Sequence, residues 1–188
     1  TDAEKSRPDY TVTPRYWVER AEVEARLRDK DWQRGWLIGL RDITNATNER
    51  TVIAAVVPRV GAGNTLLLMF PSQSAALCAC LVGDQNSFVH DYVARQKIGG
   101  TNLNFFIAKQ LPVLPPTTYT PEALAFIVPR VLELTYTAFD LRLFYDDVVA
   151  ENPAFDPRPP SERGQPCRWN PERRAKLRAE LDACYARL

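Results

Sequence analysis

The densest run of groups able to recognise a ligand is Arg41, Asp42, Thr44, Asn45, Thr47, Asn48 and Arg50, followed by Arg59 and Asn64. Arginine offers forked donors to phosphate or a guanine edge, asparagine can pair bidentately with adenine, and threonine can bond phosphate while its methyl meets thymine. An ordinary polar hairpin loop uses the same residue types, so both readings stand on composition. Catalytic patterns are thinner. Gly61-Ala62-Gly63 lacks the third glycine and the following helix of a dinucleotide loop, and no GxxxxGK[ST] occurs. His90-Asp91 has no G-x-S-x-G elbow to serve and reads as a pair on a helix surface. Asp146-Asp147 would need further carboxylates to hold a nuclease metal. A complete enzyme would require groups such as Asp91, His90 and Asp147 to converge only in three dimensions. The four cysteines, Cys78, Cys80, Cys167 and Cys184, show no CxxC spacing, and His90 is the only histidine, so a metal site would lack ligands. They read as reduced thiols of a cytoplasmic protein.

The elements that must position these residues follow from periodicity and turn chemistry. A chain of 188 residues can bury roughly 70% of its unfolded surface, enough for a core without staples. Its longest apolar run, Thr65 to Pro71, is far shorter than the roughly 20 residues of a membrane span. With 24 Lys and Arg against 23 Asp and Glu, any nucleic-acid contact must come from a local patch. Tyr16-Trp17-Val18 predicts a short strand, and Val23 and Leu27 a solvated helix behind it. Residues 36–43 and 51–60 predict antiparallel strands joined by a protruding polar loop. Residues 51–60 and 65–70 flank Gly61-Ala62-Gly63-Asn64, which has the glycines of a tight hairpin turn, so the centre reads as a β-meander. Ser72 to Val82 and Ser87 to Gln96 predict helices, the second with Phe88, Val89, Tyr92 and Val93 as its inward stripe, covering one sheet face. Residues 121–144 predict helix interrupted by Pro129. Residues 151–171 hold six prolines and read as an irregular linker, and Asn170-Pro171-Glu172 opens a last helix. The expected class is α+β: a small antiparallel or mixed sheet covered by helices, with a mainly helical C-terminal tail. The expected division is an α+β domain over residues 1–116 and a tail over 117–188. The start at Thr1 without a methionine, and an end inside a helical pattern, predict a piece of a longer polypeptide.

The run Gln96-Lys97-Ile98-Gly99-Gly100-Thr101-Asn102-Leu103-Asn104-Phe105-Phe106-Ile107-Ala108-Lys109-Gln110-Leu111-Pro112-Val113-Leu114-Pro115-Pro116 closely resembles the closing segment of the TaqI-like specificity domain of large adenine-N6 DNA methyltransferases, found in restriction-modification and related phage-defence systems. Residues 41–51 and 57–61 are similar to the same family. Physically, the glycines of the run permit a sharp bend, Asn102 or Asn104 can cap the next turn, and Phe105, Phe106 and Ile107 can anchor it. The resemblance covers about residues 16–116 and implies a target-recognition domain that reads double-stranded DNA. A separate catalytic domain of the same parent chain would flip and methylate adenine with S-adenosylmethionine. Neither a cofactor loop nor the family's N-P-P-[YF] motif is present. Asn152-Pro153-Ala154-Phe155 resembles that motif but has alanine at its third position, and reads as a linker turn.

The expected DNA contacts are Arg41, Asn45, Asn48, Arg50, Arg59 and Asn64 on the two connections. Lys97, Thr101 and Asn102 are second choices for phosphate. No residue is assigned to catalysis, cofactor or metal. The competing reading is a protein-interaction module whose Tyr136, Phe139, Phe144, Tyr145, Trp169 and Tyr185 help dock the tail onto a helicase or nuclease partner.

Overall fold

The computed structural model describes residues 1–188 and is α+β, as expected. In chain order its elements are α1 (Asp2–Lys5), α2 (Arg20–Arg28), β1 (Trp36–Arg41), β2 (Ala54–Pro58), β3 (Leu66–Met69), α3 (Ala75–Gln85), α4 (Phe88–Lys97), α5 (Phe105–Ala108), α6 (Pro121–Thr135), α7 (Arg142–Glu151) and α8 (Pro171–Tyr185). Tyr16-Trp17-Val18 is not a strand: Trp17 is 82% exposed, and the segment has no pairing partner. The chain turns there into α2, which buries Leu27.

The three strands form one antiparallel sheet of order β2-β1-β3. Apolar Trp36, Leu37, Ile38 and Leu40 are all buried, because β1 is central and covered on both faces. The meander is corrected accordingly. β2 and β3 never pair with each other; both lie against β1. Pro58 ends β2 opposite Trp36, whereas Leu66 begins β3 opposite Arg41, so residues 59–65 must run back along the length of the sheet. They are a crossover, not a hairpin turn. Gly61 and Gly63 accordingly lack positive φ. Gly61 is instead a point of close approach, where any Cβ would collide with Val18.

Trp36 is the centre of the core. Its ring meets Trp32 edge-on at 5.5 Å and Phe144 of α7 at 4.9 Å, and its Nε1 donates to Asp147 at 2.8 Å. Asp147 therefore has a structural partner. The buried cluster runs from Leu27 through the sheet and α3 to Ile127, Leu132, Phe144 and Tyr185, so it crosses the boundary drawn at residue 116. Pro129 lies inside α6 without ending it. The proline-rich stretch is irregular but anchored: Asn152 caps a short turn by accepting from Ala154 N, Phe155 is buried, and Gly164 N donates to Tyr145 Oη. Asn170 caps α8, with Pro171 in its first turn, as the sequence predicts. Tyr136, Phe144, Tyr145 and Tyr185, expected at a docking surface, are core residues; only Phe139 is largely exposed. Aromatic area is more effective inside a domain of this size than on its surface.

Burial pushes the thiols of Cys78 and Cys167 up to about 11 and that of Cys80 to about 12. They are packing groups. No helix is long and apolar enough to cross a membrane. Replacing Trp36 by alanine removes both ring contacts and leaves Asp147 unpaired. Urea unfolding of Trp36→Ala is expected to show a loss of about 3–5 kcal/mol, and a loss under ~1 kcal/mol would remove Trp36 from the centre of the core.

Candidate nucleic-acid interface

Three segments distant in sequence meet where β1 ends, and Asp42 ties them together. Its backbone N–H donates to Thr65 O at 2.9 Å, its carbonyl accepts from Leu103 N at 2.7 Å, and its carboxylate accepts from Asn102 Nδ2 at 3.3 Å. Thr44 N–H donates to Thr101 O at 2.9 Å, and Ile43 bridges to Asn102. The polar loop after β1, the start of β3 and the glycine-containing run thus form one surface. Asn45, Asn48, Asn64, Thr101 and Asn102 all lie on these segments, and Lys97 sits just before the run, at the end of α4.

The loop does not protrude freely; α4 holds it down. Asp91, only 3% exposed, accepts the Thr51 and Val52 amides, each at 2.8 Å. Arg95, one turn further on, donates to Asp91 and to the carbonyls of Ala46, Asn48 and Glu49, all at 2.8 Å. Loop carbonyls and amides that would otherwise need water are satisfied by one ion pair. Asn45 makes an Asx turn by accepting from Thr47 N and Oγ1, while Asn48 Nδ2 donates to Thr44. Thr101 and Asn102 bond each other. Lys97 and Asn64 are exposed and make no side-chain hydrogen bond or ion pair within the protein.

This clamp reverses the expected face of α4. Phe88, Val89 and Tyr92 are 60%, 47% and 68% exposed, and the buried residues are His90, Asp91 and Ala94. The apolar stripe points outward because the inward face must present polar groups to the loop. His90 is therefore not a surface histidine. Burial lowers its pKa, opposed by the nearby Asp84 carboxylate and by the Pro112 carbonyl. Burial likewise raises the pKa of Asp84, whose carboxylate accepts from Leu114 N at 3.1 Å. Asp84 and His90 brace the second half of the run. Leu103 is fully buried there, while Phe105 and Phe106, expected as anchors, are 50% and 76% exposed. Asn104, one of the two expected caps, does cap the following turn, accepting from Ile107 N at 3.0 Å. Gly99 and Gly100 face open space, with no internal contact that excludes a side chain.

The three arginines of the expected set have internal partners. Arg41 donates to Arg50 O at 3.0 Å and closes the loop. Arg50 pairs with Asp182 of α8 at 3.4 Å and stacks on Phe88 at 3.7 Å. Arg59 lies at the opposite end of the sheet, where its guanidinium grips Glu24 at 2.7 Å and the carbonyls of Trp32 and Arg34. At about 3.3 Å per residue, the length of β1 separates Arg59 from the loop. Arg95, absent from the expected set, organises the loop. Its signal in the sequence was the i, i+4 Asp91–Arg95 spacing.

Comparison of the chain with models of known families, with curated proteins and with solved structures finds no match in any of the three. Two measurements check the local geometry. In Arg95→Ala the three carbonyls and Asp91 lose their charged donor, at about 1.5–3 kcal/mol for a charge-assisted bond, so hydrogen exchange should quicken at Thr51 and Val52 before it does so in β1. Unchanged protection there would mean that α4 does not hold the loop. His90 titrates alone in proton NMR, being the only histidine. Its midpoint is expected below 6.5, leaving the ring neutral at pH 7; a midpoint above 6.5 would make Asp84, and not burial, the controlling influence.

Proposed function

We propose that this chain is the DNA-recognition part of a larger adenine-N6 DNA methyltransferase, holding double-stranded DNA for a catalytic domain elsewhere in the parent chain. The observation that carries the reading is the junction at Asp42. It brings together two of the three stretches that resemble the TaqI-like specificity family, residues 41–51 and 96–116, with Asn64 beside them, while residues 57–61 lie at the other end of the sheet. A loop whose backbone is fixed by Arg95 and Asp91 presents its side chains without an ordering cost on binding, which favours base readout. Asn45, Asn48, Asn64 and Asn102 are the base-reading candidates, with Lys97 and Thr101 for phosphate. Gly99 and Gly100 let a phosphate backbone approach the main chain closely.

Arg41, Arg50 and Arg59 act in this reading as scaffold, and their replacement would affect stability before specificity. S-adenosylmethionine belongs to the catalytic domain, and this chain contributes no residue to it. A helicase or nuclease of the same defence system is the partner class for the exposed aromatic face of α4, where Tyr92 and the outer part of Phe88, stacked on Arg50, face solvent.

With a net charge of +1, the isolated chain should bind duplex DNA weakly and with a shallow salt dependence. In titrations at two salt concentrations, Lys97→Ala should reduce the slope of log K against log salt by about 1. Asn48→Ala and Asn102→Ala should flatten the preference among DNA sequences while leaving that slope alone. If Lys97→Ala leaves affinity and slope unchanged and neither asparagine variant alters sequence preference, the surface around Asp42 is not the DNA contact.

A further inference from the structure

A second candidate site lies on the free edge of β2, in a cleft of about 400 Å³ between that strand, α3, α6 and α8. The volume is in the range of ligand clefts, and the walls are largely apolar, including Ile53, Val56, Leu134 and Leu141. Arg50, Arg174 and Arg178 also line it, against the single carboxylate of Asp182, an excess of two positive charges. Asp182 is already engaged by Arg50 and by the Phe88 amide at 2.7 Å. One terminal nitrogen of Arg50, Nη1, is buried without a partner. Arg174 donates to Leu134 O and stacks on Trp169 but has no carboxylate, and the Arg178 side chain makes no hydrogen bond or ion pair. The two stand four residues apart on α8, where like charges repel. Burial and then Arg178 push the pKa of Arg174 down.

The strand edge supplies an independent observation. Arg41 N–H donates to Ile53 O at 3.0 Å, so by the antiparallel alternation Ala55 and Val57 address β1 while Ala54 and Val56 turn their amides and carbonyls outward. Asn86 satisfies both groups of Ala54, at 3.2 and 2.9 Å. Val56, 6% exposed, has no such partner on that side. A backbone N–H and C=O left together without an internal partner on a strand edge match one peptide unit.

We infer that this cleft binds a short acidic peptide segment of a partner protein, one peptide unit bonding Val56, a carboxylate meeting Arg174 and Arg178, and an aliphatic side chain on the apolar wall. A bare phosphate would use neither the strand edge nor that wall. The site is separate from the surface around Asp42, so it goes beyond the DNA reading and can fail without it.

The test uses the whole 188-residue chain and an end-capped hexapeptide of alternating leucine and aspartate, followed by amide correlation NMR and fluorescence anisotropy. The Val56 amide should shift saturably with one peptide bound. Substituting asparagine for aspartate in the peptide should weaken binding at least tenfold. Arg178→Ala, which removes no hydrogen bond or ion pair, should do the same, whereas Lys97→Ala should have no effect. The inference is overturned if Val56 does not move, if the asparagine peptide binds equally well, or if Arg178→Ala leaves the affinity unchanged. It is overturned equally if inorganic phosphate or duplex DNA displaces the peptide and reproduces the Val56 shift, because the cleft would then be an anion site.

Discussion

Burial of β1 on both faces and pairing of both its edges constrain everything around it. A strand in that position cannot shift by one residue without turning Trp36 away from Phe144 and Leu37 away from α2, so its register is fixed by packing. Its last residue and the next are then fixed in space as well. Asp42 emerges from the sheet with its backbone and carboxylate committed to Thr65, Leu103 and Asn102, and the polar surface is assembled around it as a consequence. The polar surface is thus an extension of the central strand's hydrogen-bonding, and its rigidity comes from the core.

The charged residues nearest that surface divide by what they touch. Arg95 and Asp91 satisfy loop backbone, Arg41 closes the loop on itself, and Arg50 ties it to α8. Such cations are unavailable as free phosphate ligands, because withdrawing them would leave buried carbonyls and carboxylates unpaired, at about 1–3 kcal/mol for each such group. What remains around the loop is short and neutral: Asn45, Thr47, Asn48, Thr101 and Asn102 bond their neighbours within the surface, and Asn64 and the cation Lys97 make no side-chain bond. This distribution suits readout of base edges better than strong backbone attraction. In the proposed reading, phosphate affinity would then come largely from other parts of the parent chain.

The run from Gln96 to Pro116 has two roles along its length. Its first half lies against Ile43 and Thr44 and faces outward at Gly99 and Gly100; its second half is anchored by Leu103, by the Leu114 bond to Asp84 and by the setting of His90 beside Pro112. A segment used both as surface and as wedge under α3 and α4 needs turn formers and amides in its outer part and prolines and leucines in its inner part. That is the composition it has. The cleft beside β2 is built on other principles, an unfilled strand edge and guanidinium groups without counterions, and shares with the polar surface only the Arg50 loop.

The sequence by itself determined the starts of α3, α4, α6 and α8 to within a residue or two, the pairing of the first two strands and the class of fold, but not the break after Thr135 that makes α7 a separate helix without a side-chain cap. Ser74, Ser87, Thr120 and Asn170 cap their helices through local bonds that need no knowledge of the rest of the chain. The two runs rich in Ile, Val, Leu and Trp likewise pair across the polar connector between them. Only the tertiary structure decided where β3 goes, which face of α4 is inward and which arginines are free. The glycines after β2 are equally compatible with a hairpin and a crossover, and the choice went to the crossover because β1 needed its second edge paired. The apolar stripe of α4 lost the interior to Asp91 and Arg95, since leaving the amides and carbonyls of residues 46–52 unsatisfied costs more than exposing Phe88 and Tyr92. Arg59 looks in the chain like a neighbour of Asn64, yet the length of the sheet lies between the two, because a strand carries its ends apart and no local pattern records on which side the chain returns.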